Sequence, residues 1–455
     1  MDLIESALLN VLNKPPKSPL VIAYSGGVDS QVLLHALALL KQKKPSTFLA
    51  LNTVTVCHVN HGLSANANAW QLFAEQECQK LNFSLKTCQV NVQAKPQQSL
   101  EALARDARYQ ALQSVHNEAS VIITGHHSDD QAETFLLALK RGSGLKGLSA
   151  MAKQSSLGKD TLIRPLLNVS RAQILAYAKT HELTWVEDES NSDTNFDRNF
   201  IRNDILPLLT ERWPSVTNTI NRSSDHCREG QLLLNELAVE DLNVCQHQAK
   251  SLLVDALKKL SPARFNNLLR YFLARHHCLM PSTEQLAQLH QQLNAADDKN
   301  PAVKVGEHYI RRYKGVLYLT AKFEDVSTWK TIVDLSADKE LSIALPDNVG
   351  ELSICVAQHK NIITIQFNQS GLVSLQKILA AKPKQQVSIR FSHNNPRCLP
   401  DYRQHSRPLK KVLQELNITP WQRKRIPFLY YDDIFVAAIG HFVCQEFTDI
   451  QEDKL

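Results

Sequence analysis

Ser25-Gly26-Gly27-Val28-Asp29-Ser30 sets two glycines among two hydroxyls and a carboxylate. The glycines permit backbone angles and close approaches that a side chain would block. The N–H groups of such a turn converge on an anion, and a helix starting there adds about half a positive charge at its N-terminus. Asp29 is out of place beside an anion unless a metal ion or an amine is near. No Lys follows the glycines, so this is not the G-x-x-x-x-G-K-[ST] loop; a capped strand–helix turn is the plain alternative. A second cluster is "GHHSDDQAET". Gly125 ends a strand, Asp129 and Asp130 begin a helix, and Glu133 follows Asp130 by three on the same face. Carboxylates so placed can hold Mg²⁺ beside a nucleotide or bind the ammonium of an amine substrate. Helix capping by acids contributes under about 1 kcal/mol each and does not account for His126 and His127 beside them.

Other constellations are more diffuse. "HVNHGLS" puts His58, Asn60 and His61 at a strand end. A metal pair there is disfavoured, because Cys57 points to the opposite face and no third ligand follows. Arg105 and Arg108 lie three apart on one helix face, where they can neutralise phosphate or simply be solvated. "DTNFDRNFIRNDILP" mixes Asp193, Asn195, Asp197, Arg198, Asn199 and Arg202, an ordered polar network or an RNA contact. From 381 to 425 the basic residues include Lys410, Lys411, Arg423, Lys424 and Arg425, against only Asp401 and Glu415. Trp421 and Tyr402 are interleaved, as in modules that grip a phosphate backbone and stack a base.

These residues need elements to hold them. Strand-like runs alternate with helical ones to about residue 205: "VIAYS", "TVTVCHVN", "SLKTCQVNV" and "SVIITGH", with helices near 66–81, 99–117 and 129–140. That rhythm implies a doubly wound, mostly parallel α/β sheet, with ligands beyond the carboxyl ends of its strands. Residues 216–295 read as almost entirely helical, and short alternating runs from about 325 read as a small mixed α+β domain. The expected domains are therefore 1–215, 216–320 and 321–455. At 455 residues the chain exceeds one ordinary core. Nine cysteines without C-x-x-C point to reduced thiols and a cytoplasmic location. No apolar run is long enough for a membrane span. The net charge of +6 permits nucleic acid without demanding it.

The string SGGVDS resembles the PP-loop of the ATP pyrophosphatase superfamily, whose members split ATP between its α and β phosphates. Together with "HVNHGLSANANAW", "SLEALARDARYQAL", "GHHSDDQAETFLL", "DTNFDRNFIRNDILP" and "PLKKVLQELNITPWQRKRIPFLYYDDIFVAAIG", it resembles the tRNA(Ile)-lysidine synthase family over nearly the whole chain, residues 325–380 excepted. The resemblance implies adenylation by ATP, with Mg²⁺, of C2 on the wobble cytidine of an isoleucine tRNA, followed by displacement of AMP by free L-lysine. It implies that Ser25, Gly26, Gly27, Val28, Asp29, Ser30, His58, His61 and Gly125 border the nucleotide, and that Asp29 or Asp130 holds metal. It also implies that Asp130 and Glu133 bind lysine, that Arg105 contacts the activated intermediate, and that Asp29 or a nearby carboxylate takes the proton. Arg198, Arg202, Lys410, Lys411, Trp421, Arg423, Lys424 and Arg425 are then the RNA contacts. The alternatives are a PP-loop tRNA thiolation enzyme, a synthetase acting on a small metabolite, and an RNA-binding protein without catalysis. Protein partners stay open, a homodimer among them.

Overall fold

The structure, a computed structural model, describes residues 2–12, 18–45, 53–62, 64–92, 100–294, 301–335, 340–357, 362–369, 372–382 and 384–448. The chain divides into two compact units, Met1–Leu237 and Ala238–Leu455.

The first unit is built on a six-stranded sheet. Its strands are β1 (Leu20–Ala23), β2 (Val54–Asn60), β3 (Ser84–Gln89), β4 (Val121–Ile123), β5 (Gln154–Leu157) and β6 (Asp160–Ile163), in the order β3-β2-β1-β4-β6-β5. All neighbours are parallel except the β5–β6 hairpin. The alternation of β1 explains why the sheet is covered on both faces. Leu20 and Ile22 enter one core with α1 (Leu3–Leu12) and α2 (Val28–Lys43). Val21 enters the other with Cys57, Leu112 and Ile122. The crossovers are α3 (Ala67–Lys80) and α4 (Leu100–Gln113). After β4 come α5 (Ser128–Lys140), α6 (Leu145–Leu148), α7 (Arg171–Thr180), α8 (Asp197–Phe200), a π-helical stretch Ile201–Ile205, α9 (Leu206–Arg212) and α10 (Val216–Cys245). The chain leaves β1 toward β2 and later returns to the other side of β1 as β4. The crevice between those two strand ends is where such sheets receive ligands.

The expectation of an almost entirely helical middle is corrected in the second unit. Between α10 and α11 (Val254–Leu257) lie β7 (Gln246–Gln248) and β8 (Ser251–Leu253). After α12 (Pro262–Arg275) and α13 (Thr283–Gln292) come β9 (Ala302–Val305), β10 (His308–Tyr313) and β11 (Val316–Ala321). These strands form one antiparallel sheet, β7-β8-β11-β10-β9, whose Leu252, Ile310 and Leu317 pack on Phe265, Leu268 and Phe272. Strands of three residues are too short to show a period of two.

The remainder is mixed α+β, as expected, with two larger sheets. One is formed by β12 (Lys330–Val333), β17 (Val387–Arg390), β20 (Phe428–Tyr431), β21 (Ile434–Ala438) and β22 (Phe442–Val443). The other is formed by β13 (Leu341–Ala344), β14 (Glu351–Ala357), β15 (Ile362–Gln369) and β16 (Leu372–Leu379). They share a core through Leu352, Ile363, Ile389 and Leu429. A ribbon of β18 (Arg397–Cys398) and β19 (Arg407–Pro408) leads to α14 (Leu409–Glu415) and α15 (Pro420–Arg423).

Candidate active site

The turn after β1 is held open by its own atoms. Gly26 has φ +88°, and a β-carbon there would lie 2.8 Å from Val186 Cγ2. Ser30 Oγ accepts from the N–H of Ser25 (3.3 Å) and of Gly26 (3.1 Å) and donates to Gly27 O (2.9 Å). Those two N–H groups are thus used inside the loop. The donors left over are those of the first turn of α2, because its N-cap Gly27 contributes no side chain. Val28 is buried, so only its backbone faces a ligand. Gly125 backs this turn: a β-carbon there would lie 3.0 Å from Asp29 O. His58, buried in β2, places Nδ1 3.1 Å from Tyr24 O, and burial lowers its pKa. His61 is also lowered, by burial first and then by Arg108 and His58.

Across the crevice, α5 presents its acids. Asp130 Oδ2 accepts from His127 N–H (3.0 Å), and Oδ1 accepts from Arg198 and Arg202 (3.0 Å each). Glu133, 1 % exposed, accepts from Arg198 Nε at 2.7 Å and from Arg202 at 2.6 and 2.9 Å. Each carboxylate therefore accepts three hydrogen bonds of about four it can take, leaving one acceptor position on each. Burial raises the cost of Asp130's charge, yet His127 and Arg198 overcome it and pull its pKa well below the carboxylate range. Arg198 and Arg202 were expected on RNA; the structure places both on the acid pair.

Asp29 receives Arg171 Nη1 on both oxygens at 2.9 Å. Arg171 opens α7, and its own N–H donates to Asp129 Oδ2 at 2.9 Å, tying α7 to α5. His127 caps α5 by accepting the Asp129 N–H at Nδ1 (3.2 Å). The neutral ring then carries its proton on Nε2, which lies 3.6 Å from Asp29 Oδ1 and 3.5 Å from Asp130 Oδ2 without a hydrogen-bond partner. Burial opposes the charge of His127, but Asp129, Asp130 and Asp29 together raise its pKa. Sequence reasoning missed this bridging role and that of Arg171; the unexplained His126-His127 pair was the available signal.

Of the two carboxylates expected to hold Mg²⁺, Asp29 fits. Its side chain is 30 % exposed beside the uncapped α2 terminus, and Mg²⁺ takes most of its ligands from phosphate oxygens and water. Asp130 is the more heavily engaged of the two, with three N–H donors on it, two of them from guanidiniums, where Asp29 carries a single guanidinium nitrogen. Among the described residues no group of three or more His, Cys, Asp and Glu is gathered as a metal site.

Arg105 and Arg108 sit over the Tyr109 ring, at 5.2 and 5.8 Å. Burial, then Arg105 and Arg198, makes the surroundings of Arg108 hostile to its charge, which Tyr109 only partly offsets. Arg164 is lowered likewise, by burial first and also by Arg105, against Tyr109. Arginine does not deprotonate, so buried guanidiniums of this kind invite an anion. The expectation had favoured Arg105 alone.

In the second unit the RNA candidates separate into two groups. Lys410, Lys411 and Lys424 are exposed. Trp421 instead packs edge-on against Tyr318 and Tyr313, at 5.4 and 6.2 Å. Arg423 donates to Ile418 O and to Tyr313 Oη, both at 2.8 Å. Arg425 pairs with the Asp347 side chain and donates to Asp347 O at 2.6 Å.

The parallel sheet and its uncapped, glycine-bent loop at the switch point define a PP-loop nucleotide-binding domain. Residues 1–209 match the family described as PP-loop domain; residues 252–318 match the TilS substrate binding domain and 387–455 the TilS substrate C-terminal domain. The chain is 43 % identical to the tRNA(Ile)-lysidine synthase of Serratia proteamaculans (strain 568) over 427 residues, 94 % of this chain and 92 % of that one. It is 40 % identical to the enzyme of the same name from Histophilus somni (strain 129Pt), over 97 % of this chain and 99 % of that one. Among solved structures, the U34-tRNA thiolase NcsA of Methanococcus maripaludis is similar with a TM-score of 0.39 and 17 % identity, covering 50 % of this chain and 78 % of that one. The chain belongs to the tRNA(Ile)-lysidine synthase family.

Proposed function

We propose that this chain joins free L-lysine to C2 of the wobble cytidine of an isoleucine tRNA, using ATP and Mg²⁺ in the cytoplasm. In the first step the cytidine O2 attacks the α-phosphorus, the α–β bridge breaks and pyrophosphate leaves. In the second the lysine ε-amine attacks C2, the C2–O bond breaks and AMP leaves with that oxygen. The first-turn N–H groups of α2 hold the leaving phosphates. Arg105, Arg108 and Arg164 face the negative charge that builds up. Mg²⁺ on Asp29 would offset charge on the pyrophosphate.

Lysine's ammonium has an unperturbed pKa of about 10.4 and must lose a proton to attack. The acceptor positions left on Asp130 and Glu133 take two of its N–H groups. Asp29, the more exposed carboxylate, receives the proton in this second step, after pyrophosphate has left. Residues 1–215 form the catalytic part, and 216–320 and 321–455 bind tRNA, with Lys410, Lys411 and Lys424 on its phosphates.

The observation that carries this reading is that one crevice combines an uncapped helix N-terminus with a buried acid pair that still has acceptor positions. The thiolation alternative is not favoured: burial, and then Cys88, pushes the Cys57 thiol up to about 12, far from a thiolate nucleophile. Incubation with ATP, isotope-labelled lysine and isoleucine tRNA tests the proposal. Label in the tRNA with matching AMP supports it; AMP release without label in the tRNA would refute it.

A further inference from the structure

The segment that carries Arg198 and Arg202 also carries two aromatic rings that the molecule does not bury. Phe196 is 39 % exposed and Phe200 is 45 % exposed. They lie four apart, and Phe200 N–H donates to Phe196 O at 2.9 Å, so both rings leave the same side of one turn. Arg198 stands between them in sequence and ends on Asp130 and Glu133. Phe200 follows Arg198 by two residues, about 3 Å of rise, and so leaves the opposite face of the turn from the side chain that reaches the acid pair.

The exposure does not come from a loose segment. Ile201 and Leu206 anchor it in a small core with Ala132. Asn199 Nδ2 donates to Ser190 O (2.8 Å) and Asp193 O (2.9 Å), and Asn203 Nδ2 donates to Asn191 O (2.9 Å). The π-helical stretch that follows is a feature common at functional sites. The rings' neighbours in the chain are Asp193, Asn195, Asp197, Arg198 and Asn199. A pair of exposed rings flanked in the chain by polar residues suits a nucleobase, which has a π-face and polar edges.

We propose that Phe196 and Phe200 form a stacking platform for one unpaired base of the RNA substrate, beside the reacting cytidine. This rests on the function proposed above. Stacking there holds the loop so that the cytidine enters the crevice, without contributing to the nucleotide or lysine sites.

The test uses the full chain with isoleucine tRNA. The double variant Phe196→Leu/Phe200→Leu keeps apolar bulk but removes the π-faces. Its KM for tRNA should rise about 5- to 100-fold, with KM for ATP unchanged, and Trp at both positions should restore it. In parallel, an anticodon stem-loop with 2-aminopurine next to the wobble cytidine should lose fluorescence on binding the natural chain and keep it on saturating the leucine variant. If the double variant does not fold, the two single leucine variants give the same readouts. Unchanged KM for tRNA together with unchanged quenching overturns the platform. A natural chain that transfers no lysine refutes the proposed reaction, while the 2-aminopurine titration still decides the platform.

Discussion

Glu133 and Asp130 are a pair of acids whose partners are chosen by the fold. Glu133→Gln keeps the shape but leaves Arg198 and Arg202 undercompensated, a change that costs about 3–5 kcal/mol for buried pairs. Chemical denaturation should show that loss, and KM for lysine should rise while KM for ATP holds. Arg108→Ala should slow pyrophosphate release measured with tRNA but without lysine by about 100-fold, the scale of losing one charge-stabilising group. Titration at this site has two limbs. His126, beside Thr124, is driven down to about 3 by burial, against Asp130 and with Arg164 and Arg108. It is neutral in the folded chain, so its contribution is complete above about pH 6.5 and is lost as pH falls toward 3. Burial alone would raise Asp129, but His127, the Arg171 N–H and Ser128 draw it down to about 2. Its contribution is complete above its ordinary value of 3.8 and is lost as pH falls through about 2. His127 is raised, so its contribution is full below about pH 6.5 and is lost as pH rises through its folded value. Urea unfolding followed from pH 8.5 to 4 should therefore show a maximum near neutrality, and His126→Asn should flatten the acid limb.

At the scale of elements, the proposed anion site at the α2 terminus depends on two glycines that let the chain pass closely. Gly125→Ala sets a β-carbon against backbone atoms of Asp29, which cannot rotate away. The first turn of α2 must give by a few tenths of an ångström, and KM for ATP should rise by roughly 2- to 10-fold, since a misplacement of a full 1 Å in such a site can cost about 100-fold. Gly26→Ala meets Val186 Cγ2 at 2.8 Å, on a β-branched side chain with little χ1 freedom, and also a positive φ, which costs about 1–2 kcal/mol. The loop and the strand–helix rhythm were legible because glycine angles and periods of 2 and 3.6 are local properties. The β5–β6 hairpin and the three-residue strands β7 and β8 were not, because stretches that short become strands by finding a neighbour to pair with. The contacts of Trp421, Arg423 and Arg425 were not legible for a related reason: a basic run with an aromatic looks the same in sequence whether or not its members also pack on Tyr313, Tyr318 and Asp347.

For the whole molecule, the separation of those residues from the exposed lysines gives a paired prediction. Neutralising Lys410, Lys411 and Lys424 should weaken tRNA binding and flatten the dependence of log affinity on log salt, by up to about 0.9 in slope for each phosphate they neutralise. Arg423→Ala should lower the melting temperature by several degrees and leave that slope unaltered, because its guanidinium is already engaged by Ile418 O and Tyr313. Binding isotherms at several salt concentrations, with melting curves of the same variants, separate the two roles. Among the described residues no helix is long and apolar enough to cross a membrane.

By itself the sequence determined the glycine-bent loop, the order of the strands and helices around it, the acids of α5 and the family they resemble. Each depends on residues within a few positions of one another, and backbone geometry translates such short patterns directly. Only the tertiary structure decided which charges meet. Asp29 is joined to Arg171, 142 residues away, and Glu133 to Arg198 and Arg202, 65 and 69 away. Pairing falls off over a few ångströms and depends on burial, quantities that exist only once the chain has folded.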